Sequence, residues 1–189
     1  MGLKIGLAVC GSFCTFHRAL QQMEQLTAEG MTVTPILSFC AASTDTRFGA
    51  AREWQERFAR ATGQTPLLTL PEVEPIGPKG YFDVLAVAPC TGSTLGRLAN
   101  GISDTPVTLA VKSQLRRGRP VVIAVSTNDA LGLSMQNIAL LKNVKHLYFV
   151  PMSQDDAAAK PNSLVADFTK LSAAIQAAQV GVQLQPLFE

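Results

Sequence analysis

The chain has 189 residues, of which 47% are hydrophobic, and its 16 Lys and Arg outnumber its 14 Asp and Glu by only two. This length suits one domain with a substantial core, and so small a net charge argues against a nucleic-acid partner. No apolar run approaches the ~20 residues that span a bilayer, and no signal-peptide pattern opens the chain, so we expect a soluble, cytoplasmic protein.

Short apolar segments alternate with segments of helical apolar spacing along the chain. The predicted strands are 4–10, 31–37, 65–70, 82–88, 120–125 and 146–150. The predicted helices are 15–29, 47–62, 105–117, 133–143 and 164–181, with a Pro- and Gly-rich loop at 71–80. This alternation predicts an α/β fold: a three-layer α/β/α, Rossmann-like (flavodoxin-like) parallel sheet in a single domain, residues 1–189.

Loops of small hydroxyl residues follow three of the predicted strands and precede helix-like segments. Parallel strands bring their carboxyl ends to one crevice, and helix N-termini attract anions. We therefore expect one anion to be surrounded by small residues from all three loops, namely Gly11, Ser12, Ser38, Thr91, Ser93 and Thr94. The alternative for Thr91 and Ser93 is a simple N-cap.

The first of these loops indicates which cofactor the crevice holds. A dinucleotide-binding fold shows G-x-G-x-x-G after its first strand and an acidic residue closing its second, whereas this chain has only Gly11 and then Leu37-Ser38. A Walker A lysine is also missing. Hydroxyl loops without these marks suit a single monophosphate, and FMN is the common cofactor of that kind.

Four cysteines, Cys10, Cys14, Cys40 and Cys90, fall at or just beyond predicted strand ends. A metal or redox cluster is one interpretation, but the chain has no C-x-x-C pair. Small buried thiols are the commoner case. We predict no metal site and no disulfide.

Residues 89–94 and 99–104 resemble a sequence pattern of the FMN-binding flavoprotein superfamily. That superfamily includes the homo-oligomeric flavin-containing cysteine decarboxylases and the prenyl-transferring flavoproteins. The resemblance implies FMN as cofactor and a homo-oligomer of trimers or multiples of trimers. The implied cofactor-binding residues are Gly11, Ser12, Phe13, Ser38, Thr44, Pro89, Cys90, Thr91, Gly92, Ser93 and Thr94.

The chain departs from the decarboxylases at two motifs. Their catalytic histidine lies in a Pro-x-x-His segment before the central strand, where residues 74–79 contain none, and their Pro-x-Met-Asn motif is replaced at 126–129 by Ser-Thr-Asn-Asp. His17 and His146 are more typical of surface or packing residues than of a base. An FMN-dependent decarboxylase or prenyltransferase is therefore the alternative function.

A closer resemblance is to the B-subunit family of dipicolinate synthases from spore-forming bacteria, carried by residues 11–15, 43–49, 88–92, 126–132 and 149–166. It implies an oxidoreductase that converts dihydrodipicolinate to dipicolinate (pyridine-2,6-dicarboxylate) during sporulation. It also implies a companion dipicolinate synthase A-subunit that carries NAD(P). A non-catalytic subunit that stabilises its partner remains a further alternative.

A dicarboxylate substrate calls for cationic or N–H donors in the crevice. Arg47, which follows the second loop, and Asn128 are the predicted substrate-binding residues, with an exposed first-turn arginine as the alternative for Arg47. Asn128 and Asp129 at a strand end are the candidates for catalysis, or are turn residues. The polar loop 152–162 is expected beside the crevice, either ordering on binding or serving as a solvated connector.

Overall fold

A central sheet organises the structure, a computed structural model that describes residues 2–189. Its strands are Lys4–Val9 (β1), Thr32–Leu37 (β2), Val84–Cys90 (β3), Val121–Thr127 (β4), Leu147–Phe149 (β5), Met152–Ser153 (β6) and Leu164–Ala166 (β7). Five of them are parallel in the order β2-β1-β3-β4-β5, and β7 pairs antiparallel with the end of β4 and carries β6. This is the flavodoxin-like strand order, and the predicted fold class is confirmed.

Helices cover both faces of the sheet. They are Phe16–Ala28 (α1), Phe39–Ser43 (α2), Ala51–Thr62 (α3), Leu70–Val73 (α4), Ile76–Lys79 (α5), Gly92–Ala99 (α6), Pro106–Arg116 (α7), Ser134–Lys142 (α8) and Leu171–Gln179 (α9). Residues of α1, α3 and α9 form one buried cluster with the sheet, and residues of α6, α7 and α8 form the other. Within residues 2–189, no helix is both long and apolar enough to cross a membrane.

Side chains of β1 alternate between the two layers, as the pleat of a strand requires. Ile5 and Leu7 belong to the cluster with α1 and α3, whereas Ala8 belongs to the cluster with α7. Gly6 occupies a position where a Cβ atom would lie 2.7 Å from both the Phe82 ring and Leu85. The absence of a side chain at Gly6 therefore allows Phe82 to pack directly on β1.

Residues 65–80 differ from the prediction. The predicted strand 65–70 is reduced to a single bridge between Leu67 and Ile36, and the predicted loop 71–80 contains α4 and α5. The cause is a capping box: Glu72 accepts hydrogen bonds of 2.8 Å from the backbone N–H groups of Leu68 and Thr69. Helical capping satisfies these donors, so they do not pair with another strand.

The predicted helix 164–181 is also wrong at its start. Leu164–Ala166 is β7, because Val165 pairs with Ser126 at the end of β4. Asp167 then caps a 3₁₀ turn by accepting a hydrogen bond from the Thr169 N–H group at 3.0 Å, and α9 begins only at Leu171. Strand pairing with a distant segment overrides the local helical spacing.

We expect Gly6→Val to lower the free energy of unfolding by about 1–3 kcal/mol, because the added side chain must displace Phe82 from a close-packed core. Gly96→Ala is the control. A Cβ there would lie 3.7 Å from the nearest neighbour, Asn137, and alanine favours the helix, so stability should stay equal or rise. Urea unfolding measures both, and equal midpoints for the two variants would contradict the packing argument.

Candidate functional site

A cleft of about 1020 Å³ lies at the carboxyl ends of β1, β3 and β4. Its volume is at the upper end of the roughly 300–1,000 Å³ typical of small-molecule sites. The ends of these strands and the segments after them line it together with residues from α1, from the segment after α2, from the 154–163 segment and from β7: Gly11, Ser12, Phe13, Cys14, Thr15, Arg18, Arg47, Phe48, Thr91, Gly92, Ser93, Ser126, Thr127, Asn128, Asp129, Asp155, Lys160, Ser163 and Val165.

The first loop touches the loops beside it directly. The Cys10 N–H group donates a hydrogen bond of 3.1 Å to the Pro89 carbonyl, and the Ser12 and Ser126 hydroxyls lie 2.8 Å apart. A Cβ atom on Gly11 would lie 3.1 Å from the Cys40 sulfur in α2. The first loop therefore lies against the ends of β3 and β4 and against α2.

The third loop leads into α6, whose N-terminus lines the cleft. The Thr91 hydroxyl accepts a hydrogen bond from the Thr94 N–H group at 3.4 Å, so Thr91 is the N-cap. Gly92 and Ser93 follow in the first turn and line the cleft. The first N–H groups of a helix have no acceptor within it, and the helix dipole is positive at this end. This wall of the cleft is therefore suited to an anion.

Asp129 is held in a fixed orientation beside the start of α6. It accepts hydrogen bonds from the hydroxyls of Thr127 at 2.6 Å and Ser134 at 3.0 Å. A Cβ on Gly92 would lie 2.9 Å from both hydroxyls and 3.0 Å from the carboxylate. The glycine thus lets this network pack against the start of α6. Asn128 is exposed and lines the cleft beside it.

Three cationic side chains, Arg18, Arg47 and Lys160, line the cleft. The Arg47 guanidinium lies 4.9 Å from the centre of the Phe48 ring. Lys160 donates a hydrogen bond of 2.7 Å to Asp155, which raises the pKa of Lys160 and lowers the pKa of Asp155. These cationic side chains therefore favour the binding of a negatively charged ligand.

Two buried thiols lie behind the hydroxyl loops. Cys10 and Cys90 are buried, and the Thr94 hydroxyl donates to the Cys10 sulfur at 3.2 Å. Burial raises the pKa of the Cys90 thiol well above its ordinary value, because a thiolate there would lack solvation. Cys14 and Cys40 are exposed, and Cys14 lines the cleft.

Of the residues predicted to bind the cofactor, those that line the cleft are Gly11, Ser12, Phe13, Thr91, Gly92 and Ser93. The predicted substrate and catalytic residues Arg47, Asn128 and Asp129 line it as well.

The remaining predicted residues lie outside the cleft wall. Ser38 is buried and caps α2 by accepting from the Ala41 N–H group at 3.2 Å. Thr44 is 3.6 Å from the Cys40 sulfur at the end of α2. The others are buried behind the loops: Pro89, Cys90 and Thr94.

Some lining residues could not be identified as site residues from the sequence. Ser126 and Thr127 extend a strand predicted to stop at 125, and Ser163 precedes a segment predicted as helix. Arg18 carries only a positional signal, because it lies one turn after the first loop. The predicted polar loop 152–162 does lie beside the cleft and contributes Asp155 and Lys160.

Neither histidine lines the cleft. His17 packs edge-on against Trp54, with ring centroids 4.8 Å apart. His146 precedes β5 with a φ of 66°. In the part of the chain from residue 2 onward, no group of three or more His, Cys, Asp or Glu is arranged to hold a metal ion.

The fold and the cleft together define a doubly wound α/β protein with a ligand-sized, cation-lined cleft at its topological switch point. The family model described as Flavoprotein matches residues 2–177, and the chain belongs to this family.

Two relatives resemble the chain over nearly its whole length. The dipicolinate synthase B-subunit from Bacillus subtilis (strain 168) is 41% identical over 186 residues, 98% of this chain and 93% of that protein. The crystal structure of the dipicolinate synthase B-subunit from Bacillus halodurans C is also 41% identical, with a TM-score of 0.91, and the match covers 100% of this chain and 96% of that one.

A more distant structure shares the fold. The FMN-dependent cysteine decarboxylase SpaF is 20% identical with a TM-score of 0.69, over 93% of this chain and 97% of that one.

Thiol reactivity tests which cysteines near the site are buried and which are exposed. At pH 8 we expect Ellman's reagent to modify Cys14 and Cys40 rapidly in the native protein, whereas Cys10 and Cys90 react only after unfolding, because both are buried and the pKa of Cys90 is raised. Cys14→Ser and Cys40→Ser should each remove one fast thiol. Fast modification that persists in the double variant would contradict this arrangement.

Proposed function

We propose that this protein is the flavin-binding subunit of a two-chain oxidoreductase that converts dihydrodipicolinate to dipicolinate with NAD(P). The observation that carries the proposal is the 41% identity, over 98% of the chain, to a protein named as the B-subunit of dipicolinate synthase. A cleft lined by several cations adds chemical support, because both the substrate and the product carry two carboxylates.

The described residues fit FMN. Gly11 and Gly92 let the cleft loops pack closely on Cys40 and on the Asp129 network, which side chains at these positions would meet. The hydroxyls of Ser12, Thr91 and Ser93 and the start of α6 offer hydrogen bonds to one phosphate. When bound, FMN supplies a ring that can take up a hydride.

The chain's own side chains bind the substrate and accept its proton in this proposal. Oxidation of dihydrodipicolinate removes a hydride and a proton, and aromatisation of the ring favours the step. Asp129, oriented by Thr127 and Ser134, is our candidate acceptor for the proton. Arg47 and Asn128 bind a substrate carboxylate.

A partner chain supplies NAD(P), since the first loop has one glycine where a dinucleotide site needs three. Both relatives are named as the B-subunit of their enzyme, which supports a companion A-subunit. We further infer that residues 1–189 act as one cytoplasmic domain and assemble into trimers or multiples of trimers. One structure that is similar to this chain is named as a dodecameric FMN-dependent decarboxylase.

FMN uptake tests the phosphate site. Ser12→Leu and Ser93→Leu should each weaken FMN binding by about a hundredfold or more, because they remove a hydroxyl and fill the space of the phosphate. Ser103→Leu, at a serine outside the cleft, is the matched control. Quenching of flavin fluorescence during titration gives the affinities, and unchanged binding in both cleft variants would rule out this site.

A reconstitution assay tests the reaction. Dihydrodipicolinate and NAD(P) are mixed with this chain alone, with only the companion chain and with both, and dipicolinate is followed by its ultraviolet absorbance. We expect product only when both chains are present, because each holds part of the site. Full activity from either chain alone would overturn the two-chain proposal.

A further inference from the structure

Two guanidinium groups in the cleft have no internal acceptor. Arg18 and Arg47 both line the cleft and are exposed, and among residues 2–189 no carboxylate forms a salt bridge with either. The Arg47 guanidinium makes a cation–π contact with the Phe48 ring, 4.9 Å from its centre. Guanidinium groups form bidentate hydrogen bonds with carboxylates, so these two are available to an anionic ligand.

The third cation, Lys160, is paired within its own loop. It donates to Asp155 at 2.7 Å, and the side chains of the pair are 54% and 28% exposed. Exposed ion pairs are weak in water, so a ligand carboxylate can replace Asp155 as the partner of Lys160.

The loop that carries Lys160 is held at the cleft by its own hydrogen bonds. The Gln154 side chain donates to the Pro161 carbonyl at 2.8 Å, and the Leu131 N–H group donates to the Asn162 carbonyl at 2.9 Å. Lys160 and Cys14 of the first loop both line the cleft. Lys160 therefore belongs to the same cleft lining as Arg18 and Arg47.

We propose that Arg18, Arg47 and Lys160 together bind the two carboxylates of a planar aromatic dicarboxylate, and that Asp155 holds Lys160 when the ligand is absent. This assignment rests on the proposed function and specifies how the cleft distinguishes a dianion from a monoanion. The cleft lining holds three cationic side chains, Arg18, Arg47 and Lys160, against two acidic ones, Asp129 and Asp155, so cationic groups are in excess.

Calorimetric titration with dipicolinate and with picolinate, which lacks one carboxylate, tests the proposal on the protein with and without FMN. Arg18→Gln and Lys160→Gln should each weaken dipicolinate binding about ten- to hundredfold and reduce the preference over picolinate. Arg52→Gln and Lys142→Gln remove a charge outside the cleft and should leave both affinities unchanged.

Asp155→Asn separates the proposed role from a structural one. Asparagine is similar in size to aspartate but no longer forms an ion pair with Lys160, so dipicolinate should bind more tightly, by about two- to fivefold for loss of a weak exposed pair. If Asp155 served only to hold the loop, the same change would weaken binding.

The possible results separate this proposal from the proposed function. Dipicolinate binding that is unaffected by both Arg18→Gln and Lys160→Gln overturns this assignment alone. Weakened FMN binding with an unchanged dipicolinate preference also overturns it, because the cations would then serve the cofactor phosphate. If the unaltered, FMN-loaded protein binds no dipicolinate, the proposed function fails together with this inference.

Discussion

Parallel pairing of β1 with β3 and of β3 with β4 brings the ends of these three strands and the loops after them to the same edge of the sheet. The pairing continues beyond the strands, because the Cys10 N–H group donates to the Pro89 carbonyl. The contact between the Ser12 and Ser126 hydroxyls joins the first loop to the end of β4, 114 residues away in the chain. If these strands slipped in register, hydroxyls, helix N-terminus and carboxylate would no longer face a common space.

Small residues make this convergence sterically feasible. At Gly11 and Gly92 a side chain would collide with the neighbouring loop, and at Gly6 it would collide with the core beneath the cleft. Glycine carries a conformational entropy cost in regular structure. Here the close approach of backbone segments offsets that cost, so the same constraint governs both the core and the cleft.

One side of the cleft is rigid, and another side carries polar side chains whose partners a ligand can replace. The loops after β1, β3 and β4 rest on strands whose residues are buried except for Lys4 and Thr127, and on the Asp129 network. The opposite side is the exposed loop between β6 and β7, which is held by hydrogen bonds within itself and to Leu131. A rigid wall suits a resident cofactor, whereas exposed ion pairs suit a ligand that comes and goes.

The local pattern of the sequence determined the layers, the parallel sheet and the loops after β1 and β3, because buried parallel strands and hydroxyl-rich helix starts have strong local signatures. The motif resemblance also indicated the family. Tertiary structure decided the rest: β7 is a strand because it pairs with the end of β4, and that pairing brings Ser163 and Lys160 to the cleft. Ser38 shows the same limit, since a serine that caps α2 and a serine that contacts a ligand look identical in sequence. Which hydroxyl or cation faces the cleft depends on contacts between segments far apart in the chain. The spacing of residues within one segment does not predict such contacts.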